Sequence, residues 1–159
     1  MSFEFTITCA ISSQKWDVEL ISNTLFDAGC DDATVFTGLR GTIGLTFDRV
    51  SDSAEMAISS AIEDVKSAYP EAEILEVKPD LVSLTYIAEM LGQSRQNIRK
   101  LTKFPPPIIT GSNPLWHLYQ VIRWYENRGS KPFHVGLSAV TKAAWNYNFM
   151  LEKNRLQQY

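Results

Sequence analysis

Phe3, Phe5, Ile7 and Cys9 alternate with Glu4, Thr6 and Thr8 at the start of this chain. Apolar residues at every second position fit a strand with one buried face, and such a strand needs a sheet beside it and a covering layer above it. The following residues supply both. After Ser12 and Ser13, which can cap a helix, Trp16, Leu20, Ile21, Leu25 and Ala28 recur at helical spacing, and Gly29 is placed to end that helix in a left-handed conformation. Residues 33–37 read as a strand, Gly38-Leu39-Arg40-Gly41 as a turn, and residues 42–47 as the hairpin partner, with Ile43, Leu45 and Phe47 on one face. Ser51 or Ser53 opens a second helix carrying Met56, Ile58, Ala61, Ile62, Val65 and Tyr69, and Pro70 stops it. Residues 72–77 supply a last strand, and Pro79-Asp80 marks a domain boundary. The order βαββαβ is the ferredoxin-like arrangement, which hosts many unrelated functions.

Charge divides the chain at the same place. The net charge of -3 conceals 5 Lys and Arg against 15 Asp and Glu in residues 1–80, and 10 against 3 in residues 81–159. A basic half suits nucleic acid or another acidic partner, and the acidic half needs a different role. The apolar runs are too short for the roughly 20 residues that span a bilayer, so no membrane partner is expected. Residues 1–6 carry no basic stretch followed by an apolar one, so no export signal is read there and the expected compartment is the cytoplasm. Cys9 and Cys30 lack the spacing and the neighbouring histidines of a zinc site and read as buried thiols. No phosphate loop, GxSxG or HExxH occurs, and adjacent Asp31 and Asp32 read as solvated turn residues. The expectation is a non-enzyme without cofactor or metal.

The basic half opens with a short amphipathic helix: Thr85 stands at a capping position, with Leu84, Ile87, Ala88 and Leu91 on one face. Gly92-Gln93 is a tight break. Ser94 caps a second helix over residues 95–103, in which Ile98 and Leu101 point to the core. At 100° per residue, Gln96, Arg99, Lys100 and Lys103 fall on the side away from the core, with Arg95 on its flank. Arg or Lys on such a face can donate to guanine and Gln can pair with adenine in a major groove, while Ser94 meets phosphate. Residues 104–109, with Pro105, Pro106 and Pro107, must run extended. Residues 110–113 then turn, residues 114–117 return as a second short strand, and a helix follows over residues 119–127.

Helix, Gly-containing turn, capped helix, β-wing and helix together resemble a known family. LTYIAEMLGQSRQNIRKL, then FPPPI, then PLWHLYQVIRWY is similar to the MerR-type winged helix-turn-helix of the excisionase and AlpA-like regulators, over residues 84–125. The stretch Gly29-Cys30-Asp31-Asp32-Ala33-Thr34-Val35 resembles a group of uncharacterised bacterial DNA-binding proteins. The resemblance implies that Ser94, Arg95, Gln96, Arg99 and Lys100 face double-stranded DNA, with Gly111, Ser112 and Asn113 on phosphate from the wing and with Trp116 and Trp124 in the core. His117 and Tyr119 stand where those regulators carry an arginine and a Ser or Thr cap, and His117 is a further candidate for phosphate.

After Gly129-Ser130-Lys131-Pro132, Ser138 can cap a last helix on which Val140, Ala144, Tyr147 and Leu151 form a short seam. That seam needs a partner, either the chain's own winged helix or a second subunit; a homodimer is expected, because two-fold pairs read pseudo-palindromic sites. The expected fold is α+β in three parts: residues 1–79 ferredoxin-like, residues 80–128 winged helix-turn-helix, and residues 129–159 a packing or dimerisation helix. The expected function is a sequence-specific regulator, a repressor, whose acidic domain dimerises or binds a ligand or protein. Two alternatives stay open: an antitoxin or immunity-like protein whose acidic domain neutralises a partner, and an excisionase-like or small-terminase-like architectural factor.

Overall fold

The alternation at residues 3–9 forms one of the two inner strands of the larger sheet in the computed structural model, which describes residues 1–12, 16–39 and 41–159. Ser13 and Arg40, read above as part of a cap and of a turn, lie outside those residues. Strand β1 (Ser2–Ala10) leads to α1 (Val18–Asp27), the hairpin β2 (Ala33–Thr37) and β3 (Thr42–Val50), α2 (Ala54–Ala68) and β4 (Glu73–Lys78). The four strands form an antiparallel sheet in the order β2-β3-β1-β4. Phe5 pairs with Phe47 across β1 and β3, and the two rings stack with centroids 5.2 Å apart. Phe3, Phe5, Ile7, Cys9, Ile43, Leu45 and Phe47 line one face and pack against Ile21 and Leu25 of α1 and Ile58, Ala61, Ile62 and Val65 of α2. The chain is therefore mixed α+β; among the described residues it has six helices, none long and apolar enough to cross a membrane.

Several local expectations shift. Asp17, not Ser12, caps α1, its carboxylate accepting from the amides of Glu19 and Leu20. Trp16 then precedes the helix, and the phase set by Ile21 and Leu25 turns Leu20 out to solvent. Ser53 caps α2, whose phase likewise leaves Met56 exposed. Asp32 is no free turn residue: it pairs with Arg49 at 2.8 Å. Both cysteines are buried, as expected. Burial pushes the Cys9 thiol up to about 11; burial and the nearby Asp64 push Cys30 up to about 12. An unfolded thiol ionises near its ordinary 9.0, so at higher pH the unfolded chain holds fewer protons than the folded one. Stability from these thiols is thus complete below about pH 9 and declines as pH rises towards the folded values. Iodoacetamide is expected to leave both thiols unmodified at pH 8 until the protein is unfolded, which mass spectrometry reads directly.

A second, smaller body follows: β5 (Leu81–Ser83), α3 (Leu84–Leu91), α4 (Arg95–Arg99), β6 (Leu115–His117) and α5 (Leu118–Asn127). Its core joins Val82, Leu84, Ile87, Ala88, Ile98, Trp116, Leu118, Val121 and Ile122. The last helix, α6 (Val135–Leu156), is capped by His134 through the Gly136 amide instead of by Ser138. Its seam packs on the first core: Val140 and Ala144 are buried there, with Tyr147 and Leu151 against them. Phe133 and Leu137, at its start, touch the second core. The surface that this seam covers is thus the acidic body, neither of the two surfaces expected, because pairing sixty or more positions apart leaves no local trace in sequence.

Side chains of α6 also close the outer edge of β4. The Asn148 amide accepts from the Val77 N–H at 2.8 Å and donates to the Val77 carbonyl at 2.8 Å, replacing a neighbouring strand. A bulge interrupts β4 where Cys9 follows Thr8 in β1, and there Arg155 donates to the carbonyls of Ile74 and Leu75. Asn148 donates as well to Asp80, at the boundary between the two bodies. Asn148→Ala strips all three bonds and should cost about 1–3 kcal/mol, with faster amide exchange at Val77 as the local reading.

Candidate nucleic-acid interface

Ser83, not Thr85, caps α3: its hydroxyl accepts from the Tyr86 amide at 3.2 Å. The helix ends at Gly92, which adopts φ +63 and returns its N–H to the carbonyls of Ala88 and Glu89. That left-handed residue makes the turn so short that Ser94 already caps α4, accepting from the Asn97 amide at 3.1 Å. Ile98 alone of α4 is fully buried and fixes the helix's rotation on the second core.

With Ile98 inward, Arg95, Gln96, Arg99 and Lys100 are exposed. None of these side chains has a hydrogen bond or ion pair among the described residues. Gln96, Arg99 and Lys100 span about 100° around the axis, with Gln96 between the other two, so they share one face. Helix α4 is shorter than expected. The Lys100 and Leu101 amides bond three residues back, to Asn97 and Ile98, and this tightening ends the helix before Lys103. Lys103 therefore leaves the helical face and sits in the following turn at φ 60, exposed beside the others in sequence but not aligned with them.

The proline run passes from this turn into the wing. Ile109 and Leu115 exchange backbone bonds of 3.2 and 3.0 Å, and β6 pairs with β5. Gly111, Ser112 and Asn113 form the exposed tip, with Gly111 at φ +114. No hydrogen bond among the described residues ties this tip to α4. Trp116 is 6% exposed, donates from its indole to the Pro105 carbonyl at 2.8 Å, and packs with Phe104. Trp116 is thus the core residue expected. Trp124 is only half-buried: Phe104 meets it edge-on at 5.0 Å and Arg128 lies 4.7 Å over its ring.

His117 faces inward. Its Nδ1 meets Asp80 at 2.7 Å, and its ring stacks at 3.9 Å on Trp145 of α6. Asp80 is 5% exposed and also holds Asn148, so one carboxylate links β5, β6 and α6. No polar side-chain atom buried among the described residues lacks a partner.

Two concavities were not visible in sequence. A groove of about 1010 Å³ runs between Pro105, Pro106 and Pro107 on one side and Tyr119, Trp124 and Arg128 on the other. A cleft of about 600 Å³ lies where the open face of the larger sheet meets α3, with Glu4, Thr46 and Asp48 facing Tyr86 and His134. Burial and the charge of Glu4 raise the Tyr86 hydroxyl above its ordinary value. Among the described residues no three His, Cys, Asp or Glu side chains gather to hold a metal ion. No protein-family model, curated protein or solved structure matches the chain.

Proposed function

We propose that the chain is a double-stranded DNA-binding regulator in which a winged helix-turn-helix, residues 80–128, presents α4 to the major groove and the wing tip to the adjacent backbone. One observation carries this reading: an exposed face of Gln96, Arg99 and Lys100, flanked by Arg95 and without side-chain partners among the described residues, on a helix that follows a left-handed glycine turn. Residues 90–125 contain no Asp or Glu at all, so nothing within that module opposes a phosphate backbone. The spacing of α3, turn and α4, and a wing pinned by Trp116, support the same assignment. The strand order β2-β3-β1-β4 supports a ferredoxin-like reading of the acidic body, whose role in this reading is regulatory. The cleft against Tyr86 supports that role, because whatever fills it touches α3, the helix that positions the turn. Repression follows if the bound site overlaps a promoter.

The test is selection from a random duplex library followed by titration at two salt concentrations. A sequence-selective complex is expected, with a salt slope of about -3 to -4 per module from Arg95, Arg99, Lys100 and Lys103. Failure to enrich any sequence, or a slope near zero, contradicts the reading.

A further inference from the structure

The two edges of the larger sheet are treated differently. Asn148 and Arg155 close β4 by direct bonds to its backbone. Strand β2 has no such cover among the described residues. The Asp48 amide donates to the Asp32 carbonyl, which fixes the phase of the β2–β3 ladder. Because bonded and non-bonded pairs alternate in an antiparallel ladder, Thr34 and Phe36 bond to β3, and the backbone of Ala33, Val35 and Thr37 points outward. The Ala33 amide is used by the Cys30 carbonyl. No described residue bonds the outward groups of Val35 or Thr37.

Exposed edges normally carry a charge, a proline, a bulge or a cover against further pairing. Ala33-Thr34-Val35-Phe36-Thr37 has no charge and no proline, and its pairing with β3 runs without a register shift. Its neutrality stands out in residues 1–80, which hold 15 acids. Even Asp32, at the strand's start, is neutralised by Arg49. On the open face Phe36 covers Gly44 so closely that an added Cβ would lie 2.1 Å from the ring, yet Phe36 is 47% exposed.

We propose that this edge pairs antiparallel with β2 of a second copy, with Val35 on the two-fold axis, joining two four-stranded sheets into one of eight. A second copy is the occupant the strand itself specifies. Setting Val35 opposite its own copy lets each Val35 donate to and accept from the other, and places the Thr37 amide on the partner's Ala33 carbonyl. The neutral strand lets two acidic bodies approach along it without like charges meeting in the ladder. The same register puts Thr34 across from the partner's Phe36 and brings both Phe36 rings together over the axis, within aromatic reach. The surface follows from the fold and stands whether or not the chain binds DNA.

Sedimentation velocity of the full chain without DNA tests it. A dimer is expected at micromolar concentration, and a monomer throughout overturns the proposal. Val35→Pro removes an N–H that β3 does not use, so a folded monomer is expected; a folded dimer overturns it. A crosslink keeps the proposal falsifiable if that variant does not fold. Thr34→Cys and Phe36→Cys chains, mixed and oxidised, should give a disulfide-linked heterodimer, because non-bonded partners sit about 4.5 Å apart between Cα atoms. Each variant oxidised alone should link far less. No preference for the mixture overturns the register and the interface.

Discussion

Arg99→Ala with Lys100→Ala is expected to weaken binding to duplex DNA by about 100-fold while leaving the fold untouched. Each exposed cation that meets a base edge or phosphate is worth about 1–3 kcal/mol, and 1.4 kcal/mol is about tenfold. Neither side chain has a partner among the described residues, so nothing structural is lost with them, and surface changes of this kind stay within about 0.5 kcal/mol of the parent. The melting temperature should therefore move by about 2 °C at most. The salt slope should fall by about 2, one for each phosphate contact removed. Anisotropy of a labelled duplex at several salt concentrations gives both values. A weaker complex with an unchanged slope would mean that the two residues read bases and the backbone contacts lie elsewhere; an unchanged affinity would remove this face from the interface.

Arg49→Met should instead cost stability, about 3 kcal/mol, and lower the melting temperature by roughly 6–12 °C. Arg49 stands at the end of β3 on the buried side of the sheet and is 8% exposed. Its guanidinium takes both oxygens of Asp32, at 2.8 and 2.9 Å, and reaches Asp64 at 2.8 Å. It also donates to the Gly29 carbonyl at 3.0 Å and to Ser60 at 3.1 Å. The hydrogen bond to Asp32 is the largest cause holding its charge in place against burial. One side chain thus joins the end of α1, the start of β2 and the middle of α2. Without it, two carboxylates face a site built for a cation; both keep partial access to solvent, which holds the cost at the lower end of the range for a broken buried pair. Arg49→Lys should recover little, because one ammonium cannot span the fork. Adding Asp32→Asn to Arg49→Met should restore part of the loss, and a thermal melt of the three variants decides it.

Local chemistry explains which parts of this fold were legible in sequence. The period of two in β1, the hairpin at Gly38 to Gly41 and the glycine turn at Gly92 each follow from residues within a few positions of one another, and each was found. So was the exposed face of Gln96, Arg99 and Lys100, because one buried residue, Ile98, sets the rotation of its helix. Caps were misplaced by a few residues where several Ser, Thr or Asp side chains compete, as at Asp17 and Ser83. Lys103 was lost from the face because tightening of the last turn depends on packing, not on residue type.

The contacts that sequence hid are long-range. Arg49 continues the pattern Ile43, Leu45, Phe47, but its acids lie on other elements, and only the folded chain gathers them. His117 looked free for phosphate because Asp80 is 37 positions away and Trp145 lies on another helix. The seam of α6 was visible and its partner was not. The groove beside Pro105 and the cleft at Tyr86 exist only between elements and have no sequence signature.

Amide shifts of the ¹⁵N-labelled full chain, recorded as a selected duplex is added, test the placement of the interface most directly. Perturbations concentrated at residues 94–103 and at Gly111, Ser112 and Asn113, with β1 and β3 of the larger sheet unmoved, are the expected result. Perturbations confined to the acidic body, or none at a duplex excess, would contradict it.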